Sequence, residues 1–195
     1  MSWLSTGAFY SVESRNYRSV LNVSHSSYLG RSPQLMVVMM NPGSSRPLEE
    51  PKGRNISVKA VADPTQDQII KVCEISQIKS FRVINLSDLR EPNSSTFCHL
   101  LNDQAFQSTP HSIFHAERED ELKSVWVENV PVLFAWGVNP ALKHLAHQAM
   151  DKLKVRNPIG WKKAEDKWSY YHPLQRIHSR KLDWIEIVSK QLTVD

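Results

Sequence analysis

The stretch LMVVMMNPGSS, Leu35 to Ser45, sets six apolar residues directly against Asn41-Pro42-Gly43. A short run that is apolar at every position, and bounded by Ser32-Pro33 before and Pro42-Gly43 after, reads as a β-strand buried on both faces. A strand of that kind needs helices above and below it, so this run decides the fold class. It also delivers one polar side chain, Asn41, to the point where the strand must turn.

Working outward, the same form recurs. Phe81 to Leu86, within SFRVINLSDL, reads as a second strand, ending in polar residues. Val130 to Trp136, within VPVLFAWG, is a third, stopped by Gly137. Lys167 to Tyr171 reads as a fourth and weaker strand, ended by Pro173. Helical patterns separate them. After Asp63, Pro64 stands at a first helical turn and Ile69, Ile70, Val72, Cys73 and Ile78 follow near helical spacing. HAEREDELKSVWVE places Leu122, Val125 and Trp126 on one face. Asn139-Pro140 opens a helix with Leu142, Leu145, Ala146, Ala149 and Leu153 at i, i+3, i+4, i+7 and i+11, and KLDWIEIVSKQL supplies a last one. Apolar strands alternating with helices imply a three-layer α/β/α domain around a central, mostly parallel four-stranded sheet. Its 195 residues fit one domain.

Two cysteines, Cys73 and Cys98, are too few for a disulfide framework, and no cysteine or histidine pair has the spacing of a structural zinc site. Neither a signal peptide nor an apolar run of membrane-spanning length is read, so a cytoplasmic protein without cofactor is expected. The net charge of +4 is unevenly placed. Between Lys152 and Lys181 stand nine basic residues against two acidic ones, which leaves the rest of the chain net acidic. Interleaved with Trp161, Trp168, Tyr170 and Tyr171, this segment suits a polyanion with stackable bases, or else forms a solvated surface.

In sheets of this class, ligands bind beyond the carboxyl ends of the strands. That rule selects Asn41, Asn85, Trp136 with Gly137, and His172. Each has a plainer reading: Asn41 as a turn initiator, Asn85 as a cap or turn residue, and His172 as a satisfied surface histidine.

These residues carry a resemblance. MMNPGSS after a buried strand resembles the first motif of the uracil-DNA glycosylase superfamily, in the branches that carry MNPG or INPG. VINLSDL is similar to the family's second strand, which ends in an Asn that reads the base. VLFAWGVNPALKHL resembles the strand that precedes the last motif, and HPLQR resembles the histidine-proline motif whose loop enters the DNA minor groove. The four lie in the family's order from about residue 35 to 176. The chain also looks like members of an uncharacterised bacterial family with the same Asn-Pro and His-Pro landmarks.

The resemblance implies a monofunctional DNA glycosylase with DNA as partner, working as a monomer. Asn41 would orient the attacking water through its amide oxygen, and His172 would stabilise the departing pyrimidine. Asn85, with Gly43 and Ser44, would hold the base. Ser45, Lys162, Lys163 and Arg176 would hold phosphates, and Leu174 would fill the gap left by the flipped nucleotide, unless it belongs to the core. Strict uracil enzymes place a Tyr shortly after the first-motif Pro; Gly43-Ser44-Ser45 stand here instead. A pocket open at C5 would admit modified cytosines such as those of phage DNA, which suggests antiviral defence. Two other classes stay open: a non-catalytic nucleotide-binding or DNA-binding module, and a hydrolase of free nucleosides or nucleotides. Asp63, Asp67, Asp88 and Asp103 are carboxylates that the resemblance leaves without a role.

Overall fold

The computed structural model describes residues 2–51, 53 and 56–193. The chain opens with strands β1 (Trp3–Val12) and β2 (Arg15–His25), then β3 (Leu35–Met39) and β4 (Ser57–Lys59). Helix α1 (Pro64–Ile75) leads to β5 (Ser80–Asn85), and three short helices follow, α2 (Ser94–Leu100), α3 (Gln104–Gln107) and α4 (Glu119–Val125). Strand β6 (Val132–Phe134) and helices α5 (Lys143–Leu153) and α6 (His178–Leu192) complete the order. Lys52 and Arg54, in the loop from Ser44 to Ala62, lie outside the described residues.

The sheet departs from the expected four mostly parallel strands. It has six, in the order β4-β1-β2-β5-β3-β6. β3 is parallel to β5 and to β6, whereas β1 pairs antiparallel with β2 and β4, and β2 with β5. The antiparallel half, the short β4 apart, comes from the first 25 residues. Their two-residue turn carries Glu13 at φ +53° in place of the Asn-Gly or Asp-Gly that announces a hairpin. The expected strand at Lys167–Tyr171 is absent: only Tyr170 makes bridges there, to Gly137 and to Lys162. Trp168 and Tyr170 are core residues, 6% and 3% exposed, and so offer no stacking platform to a base.

Both faces of the sheet are covered, as the continuous apolar run demands. On one face Leu35, Val37 and Met39 of β3 pack with Ile69, Val72 and Cys73 of α1 and with Trp184, Ile185 and Val188 of α6. On the other, Met36 and Val38 pack with Phe97, Phe106 and Leu122 of α2, α3 and α4, and with Leu145, Ala146 and Ala149 of α5. Alternation along a single strand thus feeds two cores. Burying a side chain of this size stabilises by about 1.5–3 kcal/mol. None of the five residues of β3 is more than 6% exposed. Among the described residues no helix is long and apolar enough to cross a membrane.

The segment between α5 and α6 is laid against the end of β6 by backbone pairing. Ile159 bridges Leu133, and Gly160, at φ +145°, passes so close that an added Cβ would lie 2.5 Å from the carbonyl oxygen of Phe134. The Gly137 amide donates to Tyr170 (2.7 Å), the Tyr171 amide to Trp161 (2.8 Å), and Trp184 Nε1 to Tyr171 (2.9 Å). The chain is therefore held on both sides just before His172.

Candidate active site at the ends of the parallel strands

The carboxyl ends of β3 and β6, with α1 and the His172 loop, border an open cavity of about 640 Å³. Asn41, Gly43, Ser44, His172, Leu174 and Arg176 all line it, as do Trp136 and Gly137. Chain segments more than 130 positions apart in sequence thus meet at one space, because β3 and β6 end at the same edge of the sheet and the segment before His172 is bridged back to β6 and Gly137.

Asn41 is oriented by the loop after β5. Its Nδ2 donates to the carbonyls of Leu89 (3.1 Å) and Glu91 (2.7 Å). Two carbonyls at one end of an amide identify that end as the nitrogen. The other end, Oδ1, has no hydrogen-bond partner among the described residues and is the free acceptor of a half-buried side chain. The turn that follows is closed by the Ser45 amide donating to Pro42 (3.1 Å), with Gly43 at φ +57°. A Cβ at Gly43 would meet no atom within 4 Å, so the cavity wall is open there.

His172 is oriented from its own loop. Its Nδ1 accepts the Leu174 amide (3.1 Å), and its carbonyl accepts Gln175 Nε2. Burial of the ring holds its pKa down to about 4, against the pull of Asp63. The imidazole is therefore neutral at pH 7. With Nδ1 serving as acceptor, the proton sits on Nε2, which has no hydrogen-bond partner among the described residues. An acceptor and a donor, both uncharged, are thus offered to one cavity.

Other expected site residues stand differently. Asn85 does not line the cavity. It is fully buried at the end of β5, with neither amide atom paired, on the sheet face of Val83, which does line it. Ser45 is buried at 2% exposure and also away from the lining, and its amide is spent on the turn. Lys162 and Lys163 do not reach the cavity; Lys163 lies 3.5 Å from Asp166. Leu174 is 39% exposed, which removes the core reading, and Arg176 is exposed beside it. Arg180 lies over the rings of Trp161 and Tyr171 at 5.1 and 5.0 Å.

Two charged lining residues were not among those expected to act. Asp63 has both oxygens engaged: Oδ1 caps α1 by accepting from Thr65 and Gln66, and Oδ2 accepts from Gln66 Nε2. Arg18, only 3% exposed, reaches the cavity from β2. Nothing in its local sequence singles it out. Asp67 and Asp103 sit in the first turn of α1 and at the cap of α3, and Asp88 is buried in an ion pair with Arg118 at 2.7 Å. Among the described residues no group of three or more His, Cys, Asp or Glu could hold a metal ion.

A mixed α/β sheet with a cavity at the carboxyl ends of its parallel strands puts the candidate site where sheets of this class commonly bind ligands. The chain belongs to the family described as "Protein of unknown function (DUF1643)", whose model matches residues 25–174. That span holds Asn41, Asn85 and His172. No curated protein and no solved structure matches the chain.

Proposed function

We propose that the protein is a DNA glycosylase of the uracil-DNA glycosylase type, hydrolysing the N-glycosidic bond of a modified or damaged pyrimidine to leave an abasic site. One observation carries this reading: the free acceptor of Asn41 and the free donor of His172 line the same cavity, whose volume suits a nucleoside-sized ligand. In the reaction, Asn41 Oδ1 holds a water near C1′ of the flipped nucleotide. As the bond from C1′ to the base nitrogen breaks, negative charge grows on the pyrimidine, and His172 Nε2–H donates to its carbonyl oxygen. The water oxygen bonds to C1′ and its proton passes to solvent or to the departing base. Preorganised donors at developing charge are commonly the largest catalytic contribution, worth roughly 3–4 kcal/mol each. With Asp63, the carboxylate among the described lining residues, engaged at both oxygens and so not free to take the water's proton, turnover is slow.

Leu174, exposed at the mouth, is the wedge that replaces the flipped base, and Arg176 beside it contacts phosphate. The open wall at Gly43 and Ser44 favours pyrimidines enlarged at C5, the kind found in phage DNA, which gives the protein a part in antiviral defence as a cytoplasmic monomer.

The test is incubation with DNA containing uracil, ordinary bases or C5-modified cytosine, followed by alkali. Strand breaks at the modified positions are expected, and no breaks in any of the three would end the enzyme reading. A second reading, a non-catalytic binding module, is favoured by the full engagement of Asp63. It requires binding that survives Asn41→Ala and His172→Ala without any product.

A further inference from the structure

Arg18 is a buried arginine without a hydrogen-bonding partner for its side chain among the described residues. Its Nε is shielded from solvent and makes no hydrogen bond, and its guanidinium has none to any described residue. A break in strand register turns it toward the cavity. Ala8 pairs with Val20 but Phe9 pairs with Arg18, so Ser19 is the extra residue of a β-bulge. Phe9 belongs to the core on the α1 and α6 face, and Arg18, directly across from it, emerges on that face. Without the bulge, alternation from Val20 would send Arg18 into the opposite core. Bulges beside functional sites re-aim side chains in this way.

The neighbouring charges do not satisfy it. Asp63 is spent on capping α1, and Asp88 pairs through Oδ2 with Arg118 and Tyr10. Burial lowers the Arg18 pKa to about 10, with Asp63 and Asp88 opposing and Arg90 assisting, so the side chain is a cation at neutral pH. A buried guanidinium that makes no hydrogen bond is costly even with carboxylates nearby, a cost that a bound anionic group removes. Fully buried Leu21, Ile69 and Val83 line the cavity with Arg18, whereas Arg176 stands exposed at the mouth. That apolar floor suits the face of a base, and the exposed Arg176 suits a phosphate.

We propose that Arg18 anchors the ligand at the cavity floor by charge-assisted hydrogen bonds to an oxygen carried by the base, so that the site prefers pyrimidines bearing an anionic oxygen substituent. This deepens the glycosylase reading and rests on it for the kind of ligand. The measurement, binding of free bases, is independent of turnover.

Calorimetric titration with uracil, 5-carboxyuracil and orthophosphate is applied to the wild-type protein, Arg18→Gln and Arg18→Lys. The wild type should bind 5-carboxyuracil at least tenfold more tightly than uracil. Arg18→Gln should abolish that preference, Arg18→Lys should keep part of it, and orthophosphate should not displace the base. No binding of 5-carboxyuracil, or a preference unchanged in Arg18→Gln, overturns the proposal. Displacement by orthophosphate that depends on Arg18 assigns the site to a phosphate and also overturns it. Melting of the unliganded proteins gives a second readout: Arg18→Gln should melt no lower than the wild type. A lower melting temperature would tie Arg18 into the fold, for instance toward the unpaired Oδ1 of Asp88, and would contradict the role. Arg18-dependent binding without strand breaks in any DNA would sink the glycosylase reading and leave this one standing.

Discussion

The amide nitrogen of Asn41 donates to the carbonyl of Glu91 at 2.7 Å, and this bond fixes which end of the side chain a ligand meets. It also ties the turn after β3 to the loop after β5. Asn41→Ala removes two hydrogen bonds, each worth a net ~1 kcal/mol. Asn41→Asp keeps the shape but sets a carboxylate, which cannot donate, against the carbonyls of Leu89 and Glu91. Thermal melts at pH 7 should therefore rank Asn41→Asp below Asn41→Ala, and Asn41→Ala below the wild type. An Asn41→Asp variant as stable as the wild type would show that the amide orientation described here is wrong.

Gly160 holds the His172 segment against β6 with no room for a side chain. Alanine there meets the Phe134 carbonyl at 2.5 Å and Tyr170 Cδ1 at 2.8 Å, and must also adopt φ +145°. Gly160→Ala should cost more than about 2 kcal/mol in denaturant unfolding. Gly43→Ala carries backbone strain alone, since its Cβ meets nothing within 4 Å, and should cost less.

His172 titrates at about 4 in the fold, below its ordinary value of 6.5. A histidine with a lowered pKa contributes stability that is complete above pH 6.5 and lost as pH falls toward 4. Nitrogen NMR should show a neutral ring protonated at Nε2 throughout the range from 7 to 5. Near pH 4, Nδ1 takes up a proton, confronts the Leu174 amide with a second donor, and releases the loop. Activity should accordingly hold on the acid side until about pH 4, and an inflection near 6.5 in the His172 signal would contradict the geometry.

The sequence shows the parallel half of the sheet and conceals the rest for physical reasons. LMVVMM and VPVLF are apolar at successive positions because both faces are buried, and that pattern needs no knowledge of partners; SFRVIN is interrupted by the half-buried Arg82 and ends on Asn85, yet its Phe81, Val83 and Ile84 still mark a core strand. The β1-β2 hairpin turns through Glu13, an unusual residue for positive φ, and so gives no local turn signal. KWSYY looked like a strand because Trp168 and Tyr170 are buried, but their burial comes from packing beside Trp136 and Phe134 rather than from a ladder. α2 and α3 had legible caps in Asn93 and Asp103, which the short lengths of these helices obscured. At the site, Asn41 and His172, which line the cavity, were legible from their places after apolar or aromatic runs, although no strand precedes His172 and Asn85 stays off the lining. Arg18 was not, because its direction depends on a one-residue slip between β1 and β2 that only pairing reveals.

The most direct measurement is the single-turnover rate of free-base release from DNA carrying a C5-modified cytosine, read by mass spectrometry. The wild type should release the base, with Asn41→Ala and His172→Gln each slower by roughly a hundredfold while DNA binding persists. Undetectable release by the wild-type protein from modified, uracil-containing and ordinary DNA alike, or release unaffected by both substitutions, would contradict the account.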